Sequence, residues 1–246
     1  MEKEYKYFKE ELDKDKIIAS MKKYLNEKQE LDKFFEKLVS PYIENKSLNV
    51  LDACCGIGHL IYHMNKLSPA SKFLGVDFTD YLIEEGRKIF CGFDNVLFEN
   101  MSIYDLPEKY NKYFDLTVNW KTISWLPYYE EIIRKLMQVT KKHIFISSLF
   151  YDGYIDFEIK VREFVKESAK DGFNAYYNVY SYPKFKDFCL NNGAKNVEAF
   201  DFEINIDLEQ KDKDLMGTYT LKLENGKRIQ ISGAVLMNWK VLRIDL

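Results

Sequence analysis

The residues best suited to chemistry lie between Leu48 and Gly58, Leu-Asn-Val-Leu-Asp-Ala-Cys-Cys-Gly-Ile-Gly, an apolar run that reaches Asp52 and then breaks into a Gly-X-Gly turn. Glycines at 56 and 58 let backbone approach a ligand closely, and a helix opening after them offers N–H groups with no partner inside the helix. A second apolar run, Leu74-Gly-Val-Asp77, ends on a carboxylate 21 residues after Gly56. At that spacing an acidic group at the tip of the next strand can accept both hydroxyls of a ribose. Together these features make a nucleotide-type binding constellation. A dinucleotide fingerprint starting at Gly56 would need Gly or Ala at position 61, which is Ile61, and it would not call for Asp52 ahead of the turn.

The elements that must position this turn are legible in the alternation of apolar runs with helical stripes. Strands are expected near 48 to 53, 72 to 77, 95 to 99, 114 to 119 and 143 to 149, with helices near 59 to 67, 79 to 90 and 127 to 140. The run His143-Ile-Phe-Ile-Ser-Ser-Leu149 is nearly continuous in apolar residues, as in a strand covered on both faces. Ahead of the first strand, Ile17, Ile18, Met21, Tyr24 and Leu25 form one helical stripe, and Leu31, Phe34, Phe35, Leu38, Val39 and Tyr42 form another. The stretch 150 to 181 reads as helical around 155 to 169, followed by the tyrosine-rich segment 174 to 182; a connection of this length tends to be functional. After a helix near 185 to 190 capped at Asn192-Gly193, strands are expected at 197 to 206 and 218 to 224, and within Val235 to Ile244. Asn225-Gly226 joins two of the late strands in what reads as a type I′ hairpin. The expected fold is α/β: a Rossmann-like, mostly parallel seven-stranded sheet with helices on both faces, antiparallel C-terminal strands and an N-terminal helical cap. The expected organisation is a cap at 1–46 and a ligand-binding domain at 47–246 with a substrate-binding insert at about 150–181.

Composition bounds the function. The chain has 246 residues, of which 46% are hydrophobic and 16% aromatic, enough for a sizeable core. Its 36 basic and 39 acidic residues leave a net charge of −3, which argues against a dedicated nucleic-acid binder. No run approaches the length of a membrane span and no secretory leader is evident, so a cytoplasmic protein without membrane partners is expected. Cys54, Cys55, Cys91 and Cys189 lack metal-ligand spacing, and reduced thiols are the default.

The segment Asp-Ala-Cys-Cys-Gly-Ile-Gly resembles the first motif of class I S-adenosylmethionine-dependent methyltransferases, and Val76-Asp77-Phe78 resembles their second. The resemblance spans roughly residues 46 to 149. It implies S-adenosyl-L-methionine as cofactor and S-adenosyl-L-homocysteine as product. It also implies Asp52 and Gly56 near the methionine end, Gly58 at the turn, Asp77 on the ribose and Phe78 beside the adenine, with Cys54 lining the turn among the cofactor-binding residues. Where the family usually carries an adenine-binding aspartate before a Leu-Pro pair, this chain has Met101 and Ser102 ahead of Leu106-Pro107. Ser102, Asn100 or a backbone amide is then expected to recognise the adenine, with Met101 packed on its face.

Asn119, at the end of the fourth strand, is expected to face the transferring methyl. It is followed by Trp120-Lys121 rather than the Pro-Pro-aromatic of amino-methylating enzymes, and neither a Pro-Cys nucleophile nor an acidic metal-binding cluster stands there. The resemblance therefore implies a metal-independent enzyme acting on oxygen or nitrogen of a small molecule. Trp120, Trp125, Phe150 and Tyr151 are the expected pocket walls, and His63, Tyr151, Asp152 and Glu158 are the candidate bases. His59 and His143 read as bystanders. The C-terminal pattern from Met216 to Gly233 is similar to methyltransferases of bacterial surface-polysaccharide biosynthesis, which implies a sugar, sugar nucleotide or glycan precursor. Two other classes stay open: an NAD(P)-dependent oxidoreductase, and a non-catalytic methyltransferase-like binding protein.

Overall fold

The computed structural model describes residues 14–163, 173–210, 217–233 and 235–246. Two helices come first, α1 (Lys14–Asn26) and α2 (Glu30–Ile43). The central run is β1 (Asn49–Ala53), α3 (His59–Leu67), β2 (Lys72–Asp77), α4 (Asp80–Ile89), β3 (Val96–Asn100), β4 (Phe114–Trp120), α5 (Glu130–Val139) and β5 (Thr140–Ser148). The chain continues through β6 (Phe150–Tyr151), β7 (Lys160–Glu163), β8 (Phe173–Tyr176), β9 (Tyr180–Ser181) and α6 (Tyr182–Asn191). It ends with β10 (Asn196–Asp201), β11 (Thr218–Lys222), β12 (Arg228–Ser232) and β13 (Lys240–Asp245).

Seven strands form one sheet in the order β10-β13-β5-β4-β1-β2-β3. β1 to β5 run parallel, whereas β13 is antiparallel to both β5 and β10. The expected Rossmann-like sheet and its antiparallel ending are both present. From β1 the chain first builds outward through β2 and β3, then crosses back to place β4 on the other side of β1. Such a reversal leaves a crevice at the carboxyl ends of the two central strands, where open α/β sheets bind ligands. In this chain the crevice is bounded by the residues after Ala53 and after Trp120.

Alternation along the strands divides the core into two layers. Val50, Phe73, Phe98, Leu116, Val118 and Phe145 face α2, α3 and α4, while Leu51, Leu74, Val76, Ile144 and Ile146 face α5 and α6. Leu31, Phe35, Val39 and Ile43 of α2 are fully part of the first layer. Burying four such side chains contributes roughly 6 to 12 kcal/mol at about 1.5 to 3 each, so α2 is held as firmly as the crossover helices. α1 is looser, with no residue buried.

Four expectations change. Instead of a helix near 155 to 169, residues up to Glu163 carry β7, which pairs antiparallel with β8; positions 164–169 lie outside the described residues. The reason is visible in Ile155, Phe157, Ile159 and Val161, an alternation of period two that favours a strand. β11 and β12 form their own two-stranded sheet rather than joining the main one, and the strand expected at 197 to 206 ends at Asp201. The hairpin turn is also not type I′: Gly226 has φ +82° while Asn225 does not adopt a positive φ. Gly226 N–H donates to Leu223 and Leu223 N–H to Lys227, the pattern of a type I turn closed by a glycine bulge.

Candidate active site

The turn after β1 is built by backbone strain and close approach. Cys54, Gly56 and Gly58 all have positive φ, at +66°, +55° and +84°. The amides of Cys54 and Cys55 both donate to the Val76 carbonyl of the neighbouring strand. A side chain at Gly58 would place its Cβ 2.6 Å from Cζ of Phe98, so the turn can lie against β3 only because position 58 is glycine. Above the turn sits α1: a Cβ at Gly56 would be 3.6 Å from Sδ of Met21.

Two buried carboxylates flank this turn. Asp77 accepts hydrogen bonds from the Gly56 amide through Oδ2 and from the Thr79 amide through Oδ1, both at 2.9 Å. Burial raises its pKa, and these backbone donors offset part of the rise. Asp52 has no such relief. It is only 2% exposed, and burial, followed by the negative charge of Asp77, pushes it up to about 8. Among the described residues no group donates a hydrogen bond to its carboxylate. A buried carboxylate without a donor is costly.

On the other wall of the crevice, Asn119 pairs with Ala53 in register and donates from Nδ2 to the Ala53 carbonyl at 2.9 Å. Its Oδ1 is buried with no partner among the described residues. Beyond it the chain turns sharply at Lys121, whose φ is +57°. Trp120 points under α2, where its indole N–H donates to Asp32 at 3.0 Å. Asp32 also accepts from the Gln29 amide and lies 3.7 Å from the Lys121 ammonium and 3.9 Å from Nε2 of His59. Burial pushes Asp32 up, but Lys121, His59, Trp120 and Gln29 together outweigh it and hold the carboxyl below its ordinary value. Lys121 also donates to the side chain of Gln29. His59, pushed down to about 4 by burial, is neutral near neutrality.

Other residues singled out from the sequence have the following places. Phe78 is half-buried just after β2. Asn100 Nδ2 and the Met101 amide both donate to the Asp77 carbonyl, and Ser102 Oγ accepts from the Tyr104 amide. Trp125 packs on Tyr177 with ring centroids 5.0 Å apart. Phe150 is a core residue against Phe185, in the layer opposite to Trp120, so the two do not share a wall. Tyr151 lies exposed, edge-on to Phe157. Of the candidate bases, His63 spends Nε2 on the Tyr24 carbonyl, Asp152 pairs with Lys240 on β13, and Glu158 pairs with Lys160. These groups are not brought together. Tyr177 and Tyr180 of the tyrosine-rich segment are buried, with Tyr180 O–H donating to the Leu126 carbonyl.

Sequence reasoning passed over Asp32, Gln29 and Asn178. Asp32 could have been found: it stands three residues before Phe35 and seven before Val39, on the apolar stripe itself, where a carboxylate must be paired. Asn178 could not; it clamps the insert by donating to the Ser124 and Leu126 carbonyls and accepting from the Ile159 amide.

Residues 44–215 match the family model described as a methyltransferase domain. Two uncharacterized proteins of Rickettsia prowazekii are each 31% identical, over 118 and 111 residues. The matches cover 47% and 44% of this chain but only 20% and 43% of those proteins, so the chain spans less than half of the curated relatives it matches. Among solved structures, the YcgJ protein from Bacillus subtilis superposes with a TM-score of 0.56 at 15% identity, covering 85% of this chain and 96% of that one. The 1,6-didemethyltoxoflavin-N1-methyltransferase of Burkholderia thailandensis, solved with 1,6-didemethyltoxoflavin and S-adenosylhomocysteine, has a TM-score of 0.54 at 10% identity, covering 94% and 86%. With its sheet order and the family match over residues 44–215, the chain belongs to the methyltransferase domain family.

Proposed function

We propose that the crevice between β1 and β4 binds S-adenosyl-L-methionine and that the chain transfers its methyl group to an oxygen or nitrogen of a small molecule. The observation that carries the reading is Asp52: a carboxylate 2% exposed, beside a strained glycine turn, with no protein donor among the described residues. Such a group fits a cationic ligand, and S-adenosylmethionine brings both an ammonium and a sulfonium. Asp77 supports the same reading, since the Gly56 and Thr79 amides fix its carboxylate at the end of β2, beside the glycine turn, where a ribose hydroxyl donor fits an acidic acceptor.

When bound, the cofactor supplies a methyl group already activated by sulfonium charge. The protein's own work is then to align and to exclude water. Asp77 fixes the nucleoside while itself held by Gly56 and Thr79. The fixed amide of Asn119 presents Oδ1 at the end of β4, where an N–H or O–H donor would satisfy it. Holding donor and acceptor in line can lower a barrier by roughly 7 to 11 kcal/mol in favourable models. No metal is called on in this mechanism. For the acceptor we carry forward a sugar or sugar nucleotide on the C-terminal sequence pattern, and small-molecule methylation on the example of the toxoflavin enzyme. The burial of Tyr177 and Tyr180 moves any ring-stacking role away from those two residues.

Thermal unfolding with S-adenosylmethionine, S-adenosylhomocysteine, NAD and NADP in parallel tests this. A ligand at 100 times its Kd stabilises by about 2.7 kcal/mol, a rise in Tm of roughly 5 to 10 °C at this chain length. A rise with the two adenosyl ligands alone is expected. A rise with NAD or NADP alone would overturn the reading in favour of a dinucleotide oxidoreductase.

A further inference from the structure

Between α2, the start of α3 and the end of β4 lies a cluster of charge that the motifs do not account for. Lys121 follows directly on the strand end that forms one wall of the crevice, and its backbone is held at φ +57° by its amide, which donates to both the carbonyl and the hydroxyl of Ser147. A left-handed conformation at a non-glycine residue persists only where its surroundings enforce it, and such residues gather at ligand sites. Its ammonium is held by Asp32 and Gln29, and Asp32 in turn faces His59 at the start of α3, directly after the glycine turn; the Lys121 side chain remains 28% exposed, while that of Asp32 is 1% exposed. Asp32 is already engaged by Trp120, Gln29 and Lys121, so it is an anchor; Lys121 is the member with a donor still open to a ligand. His59 opens α3 beside it, at a helix N-terminus whose cap, Gly58, supplies no side-chain acceptor. Cation and free helix amides together favour an anion. The β1 wall carries the opposite preference, the buried Asp52 carboxylate, to which no group donates among the described residues.

We propose that Lys121, positioned by Asp32 and Gln29, binds the α-carboxylate of the cofactor's amino-acid end. This assignment rests on the reading of the crevice as an S-adenosylmethionine site and adds α2 to that site. The zwitterionic end of the ligand then meets groups of matching sign, Lys121 for the carboxylate and Asp52 for the ammonium. Asp32 and Gln29 act through Lys121 and are positioning residues.

The test is a thermodynamic cycle measured by calorimetric titration, with two ligands that differ only in the carboxylate: S-adenosylhomocysteine and 5′-(3-aminopropylthio)-5′-deoxyadenosine. The unchanged protein should bind the first at least about tenfold more tightly, as a charge-assisted hydrogen bond requires. In Lys121→Met that preference should fall to about twofold or less, with affinity for the decarboxylated ligand nearly unchanged; Lys121→Arg should restore most of it. The ligand comparison on the unchanged protein needs no variant to fold, and equal affinities there would overturn the proposal. So would a Lys121→Met protein that keeps the preference. If S-adenosylhomocysteine does not bind the unchanged protein at all, the methyltransferase reading fails and the assignment of Lys121 falls with it.

Discussion

Trp120 donates its indole N–H to Asp32 across 88 positions of sequence, and this one bond ties α2 to the end of β4 at the crevice. Trp120 also packs on Phe35 with ring centroids 4.6 Å apart, so the polar and apolar parts of the ring hold the same helix. α2 is therefore packed against the strand end that borders the crevice.

Replacing Trp120 by Phe keeps most of the packing and removes the donor. Asp32 then loses one of its charge-assisted bonds while remaining buried, at a cost of about 1 to 3 kcal/mol. A fall in Tm of roughly 2 to 4 °C per kcal/mol is expected in a chain of this size. Differential scanning calorimetry checks it, and an unchanged Tm would show that Gln29 and Lys121 satisfy Asp32 alone.

Gly58→Ala meets two obstacles, a φ of +84° and a Cβ within 2.6 Å of the Phe98 ring. Strain of about 1 to 3 kcal/mol follows from the backbone alone. The variant should lose both stability and cofactor affinity, read by urea unfolding and by titration with S-adenosylhomocysteine. Full retention of both would mean that β3 can retreat from the turn.

Asp77→Ala removes the acceptor of the Gly56 and Thr79 amides together with the proposed ribose contact. Affinity for S-adenosylhomocysteine should drop at least about tenfold, since the contact is a charge-assisted one. Unchanged affinity in calorimetric titration would place the ribose elsewhere.

The pH dependence of stability follows from Asp52. Its carboxyl is pushed up to about 8 in the folded chain, against about 3.9 when unfolded. Between those values the folded state binds more protons, so stability should fall as pH rises from about 4 to about 8. Asp77, raised by burial, adds a slope of the same sign. Asp52→Asn should flatten the part due to Asp52, and a variant as steep as the parent would assign the slope to other groups. Binding of a cationic ligand favours the ionised form of Asp52, so protons should be released near pH 7, measurable as a buffer-dependent binding enthalpy.

The parallel core was legible in the sequence because its signals are local. A continuous apolar run, a glycine turn and a stripe of period 3.6 each need only neighbouring residues, and β2 and α3 fall at the expected positions. The insert was misread because Ile155, Phe157, Ile159 and Val161 alternate within a stretch whose flanking charges also suit a helix; pairing with β8 decides in favour of the strand. Asn225 adopts a negative φ because the loop closes with a single left-handed residue, Gly226.

For the site, sequence alone determined the glycine turn and the two acids near the strand ends, since a Gly-X-Gly after an apolar run and a carboxylate 21 residues after Gly56 are signals that need only neighbouring residues. Only the tertiary structure decided which charges meet at the crevice. The strand order sets β4 beside β1, α2 packs across both, and Asp32, His59 and Lys121 converge from three distant segments. It also decided which carboxylate is satisfied: Asp52 and Asp77 look alike as acids near strand ends, but among the described residues backbone amides donate to Asp77 and none to Asp52.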